Sequence, residues 1–395
     1  MTQEEFIAFQ SSLIAQIINA PFEEAIKTYL HNLPFLDDIN FILPNPQGIN
    51  FTEKFQTLNL NSIDLLYLFS DDNLYCLNQK SLSNILQGKS ENLKIETIIS
   101  LDTQIQSYLY RLYNERTQTI PNNILEVLNL INGRSWLIDC VAYTMENALF
   151  DPKFLDTDLY KANTLALESF VFKNPIKAKY RTRRIIDSSK EIFASTYSDH
   201  YRMQYKLIYL ALLVMTNISF NYKTLSLKGK ELTITKYFHE KIGILSDREI
   251  NLAKLFFTYG TKLRFFGKIQ TGRNDLIKNL KNMAWDIFHI NNTINNIAKQ
   301  TTDHADFTMP FFVTYDQRLR EIIPLYKIKA AAFNKATLAT HIFYVTDLLD
   351  PEIKQQYFTA EALINRRNRI SLISHKELLE RLEKEINNYE LILVK

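Results

Sequence analysis

Apolar residues at Phe6, Phe9, Leu13, Ile14, Ile17 and Ile18 recur at helical spacing, so one or two amphipathic helices open the chain. The next stretch, "LPFLDDINFILPNPQGINF", is broken by Pro34, Pro44 and Pro46 and predicts a loop with short extended pieces. Residues 53–90 read as irregular helix ending near Gly88, which makes 1–92 a helical N-terminal region. At Ile95 the pattern changes. "IETIISLD" is an apolar, β-compatible run that stops on Asp102, and helical spacing follows it to about Arg116. Pro121 opens another helix that stops at Gly133, and residues 141–150 are helical again. Residues 160–220 and 246–259 are rich in helix with few breakers. A short extended piece, "KLRFF", follows Gly260. "NDLIKNLKNMAWDIFHINNTINNIAKQ" predicts a long helix capped by Asn274 or Asp275. "MPFFVTYD" is a second strand that ends on an aspartate, Asp316. A helix is expected from Gln317, then a strand in "YKIKAAAF", then a charged amphipathic helix over 361–395.

Strands alternating with helices predict an α/β core around a parallel sheet. Ligands of such sheets gather outside the carboxyl ends of the strands, where Asp102 and Asp316 are both expected. Two carboxylates brought together repel unless a divalent cation is shared between them. Two further acids lie on helices. Glu146 follows Val141, Ala142 and Met145, and Asp286 is flanked by Trp285, Ile287 and Phe288. An acid among large apolar neighbours is costly to bury unless it is paired or bound to a metal. Singly, each of the four reads as a cap, a salt bridge or an exposed acid; as a set they point to a metal site. Asp139, Glu168 and Asp275 stay open as alternative ligands. Asp275 precedes Asp286 by 11 residues, which returns it to nearly the same helical face.

Composition narrows the chemistry. With 8 glycines in 395 residues, and neither GxGxxG nor GxxxxGK[ST], a dinucleotide fold or a P-loop enzyme is not expected. Two cysteines, Cys76 and Cys140, fit a reducing compartment and form neither a disulfide scaffold nor a zinc set. Asp139 beside Cys140 would raise the thiol pKa, which argues against a cysteine hydrolase. The seven histidines form no HExxH; His289, three residues after Asp286, reads as a surface or core histidine or as a partner of that acid. The N-terminus carries acid where a signal peptide carries base. The apolar run 207–215 is short of the ~20 residues a bilayer requires, so it is expected to be a buried helix of a cytoplasmic protein with no membrane partner. Net charge is +3, but "KNPIKAKYRTRR" gathers Lys173, Lys177, Lys179, Arg181, Arg183 and Arg184 around Tyr180 without an acid. That run reads either as a solvated basic face or as a phosphate-binding surface with a plane for base stacking.

The order of these elements resembles the PIN-like metal-dependent ribonucleases. "IISLDT" is similar to the family's first strand end, "YTMEN" to its helical glutamate, "NMAWDI" to its later helical aspartate, and "FFVTYD" to its last strand end. The resemblance covers roughly 95–335, and the distance from Glu146 to Asp286 requires a helical insertion. It implies an α/β fold with a PIN-like core: a small central parallel sheet flanked by helices over 93–340, an insertion at about 152–260, a helical N-terminal region over 1–92 and a helical C-terminal tail over 341–395. It also implies one or two Mg2+ or Mn2+ ions held by Asp102, Glu146, Asp286 and Asp316, with Thr314 orienting Asp316 or a water. The metal would activate that water for hydrolysis of RNA phosphodiester bonds. Lys177, Lys179, Arg181, Arg183 and Arg184 would guide the RNA backbone. A toxin or antiviral defence effector restrained by a regulatory protein partner would suit such an enzyme. The rival expectation is a non-catalytic helical interaction protein, binding partners through its terminal regions, with an inactive nuclease-like core.

Overall fold

A computed structural model describes residues 3–51, 64–88, 93–132, 136–139, 141–298, 305–334 and 336–394. Cys140, Gly133 and His304 therefore lie outside the described residues. The protein is a mixed α/β structure in which two small sheets are flanked by helices.

One sheet has the order β2-β6-β4-β5, built from β2 (Asp64–Tyr67), β6 (Phe307–Thr314), β4 (Ile95–Leu101) and β5 (Leu137–Asp139). β4 is parallel to both β6 and β5, whereas β2 runs antiparallel to β6. The expected parallel sheet is present, with an antiparallel strand on its edge. Every residue of β6 is buried, as its unbroken apolar run requires of a strand covered on both faces.

The other sheet is wholly antiparallel. Its order is β3-β1-β7-β8, from β3 (Asn73–Leu77), β1 (Ile39–Asn50), β7 (Ile328–Asn334) and β8 (Thr340–Tyr344). This corrects two sequence expectations. The proline-interrupted stretch is a strand of 12 residues, and the described part of 53–90 contributes two strands beside the helix Gln79–Leu86. The boundary at residue 92 crosses both sheets, since β1 pairs with β7 and β2 with β6. The boundary at 340 falls inside β8.

The prolines of β1 are tolerated because β7 pairs only with Ile39–Ile42, which leaves that edge open at Pro44 and Pro46. A register shift follows between Pro44 and Ile49. There Gly48 approaches so closely that an added Cβ would lie 2.4 Å from the Leu74 carbonyl oxygen.

Between Asp158 and Tyr259 the described chain is a run of helices. Its longest helix, Tyr197–Asn221, contains the apolar run 207–215. Among the described residues it is the one helix long and apolar enough to cross a membrane, and 67% of its apolar window is buried inside the protein. It packs against Leu276–Asn295 and against the last helix, His375–Val394. The tail is two helices, Ala360–Ser371 and His375–Val394, rather than one. The second is docked through Glu385, which accepts from the Tyr237 hydroxyl at 2.8 Å and pairs with Lys241 at 2.7 Å. It is also held through Glu390, which accepts from the Tyr209 hydroxyl at 2.6 Å. "KLRFF" and the segment after Asp316 form short 3-10 turns, not the strand and helix expected.

Candidate functional site

The carboxyl ends of β4 and β6 lie side by side, with Leu101 paired to Val313 and the Asp102 N–H donating to the Val313 carbonyl at 3.1 Å. Asp102 leaves β4 in extended conformation and caps the helix Thr103–Tyr113, accepting from the Ile105 N–H at 2.8 Å. Its second oxygen faces the Tyr315 N–H at 3.3 Å. The cap that explains this residue most simply is therefore real, and the same geometry turns its carboxyl into a cavity of about 340 Å3. Asp316 is likewise a cap, of the turn Gln317–Glu321, and lines the same cavity.

The helix Val141–Ala148 brings in Glu146, and the helix Leu276–Asn295 brings in Asp286 and His289 from one face. All four carboxylates singled out from the sequence line this one cavity, with Thr103, Gln104, Lys268 and Arg318 around them. Thr314 is fully buried and does not line it. Its hydroxyl accepts from the Asp316 N–H at 3.0 Å and donates to Asp102, so it joins the two strand ends and does not orient the Asp316 side chain as expected.

Three of the four acids, Asp102, Glu146 and Asp316, have hydrogen-bonding partners. Glu146 accepts from the Thr103 hydroxyl and lies 3.1 Å from His289 Nε2. Asp316 accepts from the Arg318 backbone N–H at 2.9 Å and from its guanidinium on both oxygens, with Nε at 2.8 and 2.9 Å. The electrostatics follow from these contacts. Burial pushes the Asp102 carboxyl up despite the hydrogen bonds it accepts. Burial works the same way on Glu146 and Asp316, but His289 holds the first below its ordinary range and Arg318 the second. Asp286 has no such cation in contact, and burial together with the negative charge of Asp316 pushes it up to about 7. Burial opposes a charge on His289, yet Glu146, Asp102 and Asp286 outweigh it and raise its pKa.

The donors are hard oxygens facing one polar cavity, and the mutual repulsion seen at Asp286 is of the kind a divalent cation relieves. Among the described residues, no three His, Cys, Asp or Glu side chains are drawn together closely enough to hold an ion as they stand.

The alternative ligands lie elsewhere. Asp139 is buried at the end of β5, where it accepts from Asn296 Nδ2 at 2.7 Å and from Ser100 Oγ and Asn292 Nδ2 at 3.2 Å each. Glu168 is buried against Arg181 at 3.6 Å. Asp275 is exposed and forms a two-point pair with Arg273. None of the three lines the cavity.

Lys177, Lys179, Arg181, Arg183 and Arg184 lie on the helix Pro175–Ala194, which packs on Asp158–Phe172 and not on the cavity. Arg181 is committed to Glu168, and Lys177 covers the Phe172 ring at 4.3 Å. Arg183 and Arg184 are exposed.

Sequence reasoning missed Arg318 and Lys268, named Thr103 only as part of the "IISLDT" motif, and favoured a bland role for His289. Arg318 stands two residues beyond Asp316 and Thr103 one beyond Asp102, so position carried a signal for both. No family model, curated protein or solved structure matches the chain at a significant level.

Proposed function

We propose that the protein is a metal-dependent endoribonuclease with a PIN-like core, acting in the cytoplasm and hydrolysing RNA phosphodiester bonds at this cavity. One observation carries the reading. Four acids drawn from positions 102 to 316, two at adjacent strand ends and two on neighbouring helices, line a single polar cavity. Asp102, Glu146, Asp286 and Asp316 would hold Mg2+ or Mn2+. When bound, the cation supplies Lewis-acid activation of water and neutralises charge developing on the phosphate.

The chain's own groups do the rest. Thr314 fixes Asp102 relative to the backbone of Asp316, so the two strand ends move as one unit. His289 holds the Glu146 carboxylate ionised and oriented. Asp286, pushed up to about 7 without a cation, would give up its proton as a cation binds beside it. Lys268 and Arg318 place positive charge on the wall where an anionic backbone would lie. Arg183 and Arg184 offer a more distant contact for the same polyanion.

The interaction-protein reading is less well supported, because the charged terminal helix that would bind a partner is docked on the protein itself through Glu385 and Glu390. The test is cleavage of a mixed single-stranded and structured RNA pool with Mn2+ or Mg2+, comparing the wild type with Asp316→Asn. Metal-dependent cutting that disappears in the variant is the expected result. Equal cutting by both proteins refutes the site.

A further inference from the structure

Arg318 is the feature that a simple four-carboxylate site leaves unexplained. Both oxygens of Asp316 are occupied by its guanidinium through three contacts, and its backbone N–H adds a fourth to the same carboxylate. A carboxylate gripped in this way has no geometry left for a cation at the centre of the cavity. The pair is also not sealed: the Arg318 side chain retains 37% and the Asp316 side chain 19% of their surface. The two residues are separated by one position in a short turn, so Arg318 can leave Asp316 by rotating its side chain, with no change of backbone.

We propose that Arg318 is a phosphodiester-binding residue parked on Asp316, and that cation and RNA bind cooperatively because the arrival of both exchanges its partner. The proposal rests on the reading of the cavity as a metal-dependent phosphodiester site. A divalent cation entering among Asp102, Glu146, Asp286 and Asp316 competes with the guanidinium for the last of these. Displaced alone, Arg318 would lose a two-point hydrogen-bonded ion pair and gain only water. Displaced in the presence of a phosphodiester, it transfers its planar fork to an acceptor of matching geometry on the same cavity wall. The coupling is reciprocal, since each ligand raises the affinity of the other by the same factor. Lys268, also on that wall, lacks the fork and cannot make the exchange.

Mn2+ binding to the full chain, measured by calorimetry without RNA, tests this on wild type, Arg318→Gln and Lys268→Gln. Anisotropy of a labelled ten-nucleotide RNA, with Ca2+ or with EDTA, gives the second readout. Arg318→Gln is expected to bind Mn2+ about five- to tenfold more tightly than wild type, because the competitor for Asp316 is gone. Lys268→Gln, which removes the same charge from the same wall, should change it less than about threefold. The gain in RNA affinity that the cation gives the wild type should be lost in Arg318→Gln, and Arg318→Lys should not restore it. Equal effects of the two glutamine variants on Mn2+ would reduce Arg318 to a general charge and overturn the exchange while leaving the metal site intact. Failure of all three proteins to bind Mn2+ would overturn the metal site itself, and the exchange with it.

Discussion

Replacing Asp286 by asparagine removes an acid that titrates near neutrality for reasons visible around it. Burial and the charge of Asp316 raise its carboxyl from 3.8 to about 7. Between those values the native state holds a proton that the unfolded chain has released, so stability falls as pH rises through this window. The full loss is reached above about pH 7. Each tenfold change in proton affinity is worth ~1.4 kcal/mol, which sets an upper bound of ~4 kcal/mol. The cavity is polar and the residue is partly exposed, so about half of that, roughly 2 kcal/mol, is the expected cost. The amide introduced by Asp286→Asn has nearly the shape of the protonated acid and carries no such penalty. The variant should therefore be only slightly the more stable at pH 5, where roughly a third of the window has been crossed, and melt higher at pH 8 by about 2 °C for a chain of this size. Calorimetric melting in EDTA at the two pH values gives the comparison, and all other acids are common to both proteins. With Mn2+ at pH 8 the order should reverse, because only the wild type retains the ligand. A difference between the proteins that is the same at pH 5 and pH 8 would refute the assignment.

Asp139→Ala should destabilise the fold by ~2–4 kcal/mol, since it strands the buried amides of Asn292 and Asn296. Denaturant unfolding measures that loss, and Mn2+ binding should persist in the folded fraction if Asp139 is no ligand. Glu385→Ala should cost ~1–3 kcal/mol by removing the partner of Tyr237 and Lys241. Hydrogen exchange should show faster opening confined largely to the helix His375–Val394. Reversing Arg183 and Arg184 to glutamate should flatten the salt dependence of RNA binding, lowering the log–log slope by about 1.5. An unchanged slope would remove that helix from the path of the RNA.

The parts of the site legible in the sequence were those whose signal is local. Asp102 and Asp316 each close an apolar run, and Glu146 and Asp286 each interrupt an apolar helical face. Those patterns name the acids but not their partners. That Arg318 grips Asp316, or that His289 meets Glu146, depends on side-chain direction and on packing between helices distant in sequence. The antiparallel sheet was missed for a different reason. Pro44, Pro46 and Gly48 are strong breakers in isolation, and only the finite length of the β7 pairing and the shift beside Leu74 make room for them. β2 and β3 are short, at 4 and 5 residues, and too brief for alternation to stand out from helix.

The order of strands in the sheet below the cavity also bears on the birth of the protein. β4 leaves the ribosome well before β6 and must wait for it before its inner edge is filled. Until then an apolar strand edge is open to other nascent chains. Parallel pairing over so great a separation is also among the slowest events in folding. Of the four acids that line the cavity Asp316 is made last, so the cavity stays open on that side until β6 has paired with β4.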